Sequence, residues 1–208
     1  MTDFKNQPAG ATLGRRGFLK TGVAIAGGAT LAGGAAALAA TRAGANTHRW
    51  QIDPDKCTCC GRCMTHCVLD ESAVKAVNCF AICGYCDICT GYYRPNYTAL
   101  DTSAENQLCP TGAVVRTFVE RLSGQRHYEY TIDEDLCVGC GKCVAGCAEM
   151  NGSLYLQVMH DRCVNCNECS IAAACPAEAF DRVPREKPYL MKKIARRAVE
   201  EKSEAGDA

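Results

Sequence analysis

Eighteen cysteines in 208 residues constrain this chain more than any other feature, because they are spaced and not scattered. The stretch from Cys137 to Pro176 reads Cys137-x-x-Cys140-x-x-Cys143-x-x-x-Cys147, then Cys163-x-x-Cys166-x-x-Cys169, then Cys175-Pro176. One constant offset, that from Cys57 to Cys137, carries Cys57, Cys60, Cys63 and Cys67 onto the first group and Cys83, Cys86 and Cys89 onto the second. It also carries Gly61 onto Gly141 and Ile52-Asp53 onto Ile132-Asp133. The last cysteine breaks step: Cys109-Pro110 stands closer than that offset to Cys175-Pro176, so the first copy has an insertion after Cys89. A period this long is that of a duplicated small domain and not of a solenoid. Each copy is too short to bury a large apolar core, and domains of that size need staples.

Three thiolates at i, i+3 and i+6 on a tight loop can wrap one face of an iron-sulfur cube and leave its fourth iron open to a cysteine from elsewhere. The candidate ligands are Cys57, Cys60, Cys63, Cys67, Cys83, Cys86, Cys89, Cys109, Cys137, Cys140, Cys143, Cys147, Cys163, Cys166, Cys169 and Cys175, enough for four [4Fe-4S] clusters. Zinc competes, since paired Cys-x-x-Cys units also build tetrahedral sites, but zinc ribbons rarely use a third cysteine at this spacing and have no need of Cys-Pro. A disulfide framework competes too, yet loop thiols so close in sequence, in four repeated runs, sit too near one another for long-range bridges.

Gly14-Arg15-Arg16-Gly17-Phe18-Leu19-Lys20 resembles a twin-arginine export signal, with glycine where serine or threonine is usual. The uncharged run from Thr21 to Ala40 follows, but it is built mostly of Ala and Gly. A spanning helix needs about 20 predominantly apolar residues, so this run suits a removable signal of residues 1–45 better than an anchor, and no permanent membrane span is expected. The resemblance implies a periplasmic protein exported with cofactors already in place, which agrees with clusters loaded before export.

The mature chain, residues 49 to about 185, resembles a tandem of bacterial-type 2[4Fe-4S] ferredoxin domains, and is similar to four-cluster iron-sulfur subunits of periplasmic redox complexes. That implies an α+β fold of two tandem small ferredoxin-like domains, 46–123 and 124–185, loop-rich and cluster-stapled, followed by a charged tail at 186–208. It implies protein redox partners, such as a membrane quinone-linked subunit or a molybdopterin oxidoreductase, and an electron-transfer role without catalysis by the chain alone. The alternative is a structural or assembly iron-sulfur subunit of such a complex. In two-cluster ferredoxins the fourth ligand comes from the opposite run; closed within each copy, this joins Cys175 to Cys137, Cys140 and Cys143, and Cys147 to Cys163, Cys166 and Cys169. The first copy closes likewise. Nested closure, first run with fourth and second with third, is the other possibility, and the simpler sequential closure is expected.

Departures from the family pattern fall on Cys67 and Cys147, which lack a following proline, and on Cys109, which stands far downstream of Cys89. Cys59 and Cys79 are left over, in the places of Gly139 and Met159, and Cys79 is a candidate to replace Cys67 or Cys109. Short strands are expected at Arg49 to Asp53, Ala113 to Thr117, Tyr128 to Ile132 and Leu154 to Val158, and a helix at Met191 to Lys202. The insertion with Tyr92, Tyr93 and Tyr97 reads as a surface loop, tolerated or used for docking. His66 and His160 flank ligand runs; His48 and His127 carry no signal. With 23 basic and 23 acidic residues and no basic stripe, nucleic acid is not an expected partner. From Asn46 onward, 18 basic residues face 22 acidic ones, a formal −4. No nucleotide loop or haem attachment motif is present in that region.

Overall fold

The strands are short because the cysteine loops between them take up most of the chain. The computed structural model describes residues 47–101 and 103–206; the twin-arginine segment and the run after it lie outside them. In order come β1 (His48–Ile52), α1 (Arg62–Thr65), β2 (Val74–Asn78), β3 (Val114–Leu122), β4 (Gln125–Ile132), α2 (Lys142–Ala148), β5 (Leu154–Val158), α3 (Ser170–Ala174), β6 (Phe180–Pro184) and α4 (Lys193–Gly206). The four expected strands and the C-terminal helix are present, with β3 and β4 longer than their alternation suggested. β2 and β6 lie outside the expected strands, because Val-Lys-Ala-Val-Asn and Phe-Asp-Arg-Val-Pro show no clean period of two.

The strands make three antiparallel ribbons nested one inside another: β1 with β6, β2 with β5, and β3 with β4. All three join a strand from 46–123 to one from 124–185, and the described residues from Thr47 belong to one compact unit. The registers reveal a swapped duplication. β2 and β5 are equivalents under the repeat offset, and they pair about Ala76↔Leu156. β1/β6 and β4/β3 are equivalents of each other, with Ile52↔Phe180 matching Ile132↔Val114. Loop bonds repeat the relation: Asp53 N donates to Ala179 O at 2.7 Å and Asp133 N to Ala113 O at 2.8 Å, while Cys79 N donates to Ser153 O at 2.9 Å and Met159 N to Ala73 O at 2.8 Å.

One local feature dictates this exchange. Ser123 and Gly124, with φ of 51° and 82°, form the whole connection between β3 and β4. Positive φ at both central positions is the turn whose twist matches a hairpin, so β4 folds back onto β3. β3 is thereby withdrawn from β1, and β1 pairs with β6.

β5 is buried along its whole length, Tyr155 and Gln157 included. The C-terminal segment supplies the cover. Gln157 Nε2 donates to Leu190 O at 3.1 Å, Lys192 Nζ to Gly152 O at 2.8 Å, and the Lys193 amide to the Asp55 carboxylate. Ala195 is wholly buried, so the segment expected as a solvated tail is packed through its first helical turn. The insertion also differs from expectation. Tyr92 and Tyr93 are 1% and 2% exposed and meet edge to face at 4.8 Å, while Leu108 N donates to Tyr92 O and Arg94 N to Asn106 O. The insertion thus carries its own small core, and those two tyrosines are core residues and not a docking surface. Among the described residues no helix is long and apolar enough to cross a membrane.

Candidate functional site: four cysteine quartets

Each cysteine loop is shaped by backbone that turns into the left-handed region at matching places in the two copies. Cys59 and Gly139 have φ of 55° and 70°, Gly61 and Gly141 80° and 77°, Tyr85 and Asn165 49° and 51°. Alternation of right- and left-handed residues points successive N–H groups into one concavity, the kind of nest that receives anions and iron-sulfur groups. Backbone donors then reach sulfur: Ala76 N to Cys137 Sγ and Ala113 N to Cys109 Sγ at 3.3 Å, Asn165 N to Cys163 Sγ and Ala179 N to Cys175 Sγ at 3.4 Å, and Leu154 N to Cys147 Sγ at 3.5 Å. Two side chains add to these: Asn78 Nδ2 points at Cys83 Sγ at 3.7 Å, and Ser153 Oγ lies 3.4 Å from Cys147 Sγ.

The grouping of the sixteen predicted ligands is nested, which corrects the sequential closure. Cys67 lines one cavity with Cys163, Cys166 and Cys169. Cys109 lines another with Cys137, Cys140 and Cys143, and Cys147 a third with Cys83, Cys86 and Cys89. Cys175 completes a fourth quartet with Cys57, Cys60 and Cys63, where Arg62 Nη1 donates to Ala174 O at 2.8 Å. Titration behaviour follows the same partition. Burial first, then the negative charge of Cys57, Cys60 and Cys175, pushes the Cys63 thiol up to about 12. Burial, then Cys137, Cys109 and Cys140, does the same to Cys143, and for Cys89 burial is again the largest cause, with Cys147 and Cys86 adding to it. Crowded, buried thiols of this kind hold their protons until a cationic group displaces them. All 18 cysteines are free thiols.

The quartets form an unbranched series. α1 carries Cys63 with Cys67 just past its end, linking the Cys57 quartet to the Cys163 quartet; α2 carries both Cys143 and Cys147, linking the Cys137 quartet to the Cys83 quartet. The two inner quartets meet where a Cβ on Gly61 would lie 3.4 Å from Cys140 O and one on Gly141 3.3 Å from Cys59 Cβ. The order is therefore Cys163, Cys57, Cys137, Cys83, naming each quartet by its first loop cysteine.

Cys67 and Cys109, predicted ligands with irregular sequence context, both stand in quartets. Cys79 does not replace either; it is buried at the end of β2 beside Tyr155. Cys59 donates its thiol hydrogen toward Cys57 and lowers that neighbour's pKa, while its own is raised by the same bond. Cys59→Gly is expected to leave the four quartets intact and to change stability by less than about 1 kcal/mol, since relief of left-handed strain is offset by added chain entropy. A thermal melt and the alkylation pattern of the remaining cysteines check this; selective exposure of the Cys57 quartet would make Cys59 a member of it. His160, its pKa lowered by burial, lies 5.0 Å from the Tyr189 ring, while His66 lines the Cys163 cavity.

Several residues around the quartets carried no sequence signal. Trp50 Nε1 donates to Cys166 O at 2.7 Å beneath the Arg182 guanidinium. Arg116, its side chain 5% exposed, pairs with Asp87 at 2.9 Å and stacks 3.5 Å from the Tyr128 ring centre, holding the Cys83 loop to the β3/β4 hairpin. Lys75 is 1% exposed on β2, and its Nζ donates to Cys137 O at 2.5 Å. A lysine among Val and Ala in an unforeseen strand gives no sequence cue; only pairing with β5 buries it.

Among the described residues no group of three or more His, Cys, Asp or Glu side chains converges tightly enough for a single metal ion. The donor sets are instead quartets of three loop cysteines and one distant cysteine, with N–H groups aimed at sulfur and a buried ammonium beside one of them. That chemistry fits an anionic, thiolate-held [4Fe-4S] cube. Compared with known proteins, the chain matches no family model, no curated protein and no solved structure.

Proposed function

We propose that the protein holds four [4Fe-4S] clusters and relays single electrons between protein redox partners. The observation that carries this reading is the partition of sixteen cysteines into four quartets that abut in one unbranched series. A bound [4Fe-4S] cluster supplies a reversible one-electron carrier. The chain's part is to place the quartets in line, to donate backbone N–H groups to sulfur, and to bury Cys63, Cys137 and Cys143 of the inner pair. Ile171, Val74 and Phe180 pack around the Cys163 cavity, and a drier surrounding shifts potential in the same way as fewer hydrogen bonds to sulfur.

The twin-arginine motif at Arg15-Arg16 supports an exported, periplasmic setting. Electrons would pass between the outer quartets, Cys163 at one end and Cys83 at the other. Exposed apolar residues flank both: Val68 and Val164 near the first, Ile88 and Met150 near the second. Such contacts suit transient docking of protein partners.

Anaerobic purification of the full chain tests the reading. Expected are iron and acid-labile sulfide in equal amounts sufficient for four clusters, and visible absorbance that bleaches on reduction and returns on oxidation. Iron-free protein would overturn the cluster assignment. Clusters that cannot be reduced without unfolding would favour a structural subunit, whose quartets serve only as staples.

A further inference from the structure

Lys75 presents an energetic anomaly that the cluster reading leaves unexplained. Fully buried lysines are almost never found without a partner, because a buried charge must be paired or offset by a metal site. Yet Lys75 is 1% exposed and makes no ion pair among the described residues; its one hydrogen bond goes to a neutral acceptor, the Cys137 carbonyl. Asp135 is the carboxylate that feels its charge, and Asp135 is exposed and already bonded to Arg162. The next residue, Ala76, donates its N–H to Cys137 Sγ. Lys75 and Ala76 thus hold both ends of one ligand.

The duplication sharpens the point. The offset that relates the two inner quartets carries Lys75 onto Tyr155, a neutral phenol. The Cys57 quartet has Lys192 nearby, but that side chain is half-exposed and bonded to Gly152 O and Leu154 O, and Arg62 is exposed. Exposed charge is screened by salt, and charge is screened less the more fully it is buried. The inner quartets are therefore related in fold and unequal in field.

We propose that Lys75 is the counter-ion of the cluster held by Cys137, Cys140, Cys143 and Cys109, and that it makes this cluster the most easily reduced of the four. The inference rests on the four-cluster reading. One electron arrives from a reduced protein partner by way of a neighbouring cluster; no bond is made or broken, no proton moves, and the cluster's negative charge rises by one. An ammonium stabilises the more negative state more strongly, so Lys75 acts by position and charge and not as a ligand. Electrons entering at either end of the series would collect at this inner point before leaving.

The test is an anaerobic redox titration of the full, metal-loaded protein, with the clusters followed by electron paramagnetic resonance. Cys109→Ser identifies which signal belongs to the Cys137 quartet. In Lys75→Met, that signal is expected to lose at least tenfold in its reduction equilibrium, about 59 mV for one electron, with the other three unmoved. Lys75→Gln keeps a donor for Cys137 O without the charge and is expected to shift equally, while Lys75→Arg stays near the parent. Selective loss of that one cluster in both neutral variants, with Lys75→Arg intact, would also show the charge requirement. Unchanged potentials in Lys75→Met, or a Lys75→Gln variant that behaves like the parent, would overturn the proposal while leaving four working clusters. A parent protein without iron would instead overturn the reading beneath it.

Discussion

Cys67→Ala is expected to expose Cys163, Cys166 and Cys169 to an alkylating reagent while Cys83, Cys86 and Cys89 remain protected. Cys67 follows the first loop closely in sequence, and its own copy holds a complete loop at Cys83. In the folded chain, however, Cys67 lines the cavity of Cys163, Cys166 and Cys169, which belong to the other copy. Removing one of four ligands leaves an iron open to solvent and oxidation, and loss of that cluster, one of the four proposed, would remove about a quarter of the iron. Differential alkylation followed by peptide mass spectrometry reads the answer directly. Cys147→Ala is the mirror experiment and should release Cys83, Cys86 and Cys89. Release of the loop in the same copy, in either variant, would sink nested closure.

Gly139→Ala should damage the protein more than its single added methyl suggests. Gly139 has a φ of 70°, a region that costs an alanine roughly 1–2 kcal/mol. A Cβ there would also overlap the Val74 carbonyl of β2, and rigid backbone cannot yield as a side-chain end would. Overpacking adds roughly 1–3 kcal/mol, for a total of about 2–5 kcal/mol against the roughly 5–15 kcal/mol by which proteins are generally stable. The displaced elements would be β2 and the Cys137 loop, so the same substitution should also weaken the cluster proposed for that loop. An anaerobic melt paired with iron analysis measures both losses. The equivalent position in the other copy is Cys59, where a side chain is tolerated at φ 55°; Cys59→Gly is accordingly the mild control. A melt unchanged by Gly139→Ala would place β2 farther from the loop than described.

The two copies therefore share a pattern without sharing an environment. The repeat offset carries Gly139 back onto Cys59, and Lys75 forward onto Tyr155. Such differences were visible in the sequence as mismatches, but their consequences depend on what lies opposite. The same holds for the aromatic insertion. Tyr92 and Tyr93 could have been surface tyrosines, and it is the turn back through Asn106 and Gln107 that buries them.

What the amino-acid sequence determined by itself was the local chemistry: loops of three thiols at i, i+3 and i+6, their duplication, and the short strands at β1, β3, β4 and β5. These depend on residues within a turn or two of one another, where spacing alone limits what the chain can do. Which distant cysteine completes which loop was decided only in three dimensions, because a repeat of whole cysteine sets permits closure within a copy or across copies equally well. The Ser123-Gly124 turn tips that balance by forcing β4 back onto β3, leaving β1 to β6 and β2 to β5. Nested ribbons bring each fourth thiol to the opposite copy, and they also bury Lys75 against Cys137. Both outcomes are set by long-range packing, which local spacing does not encode.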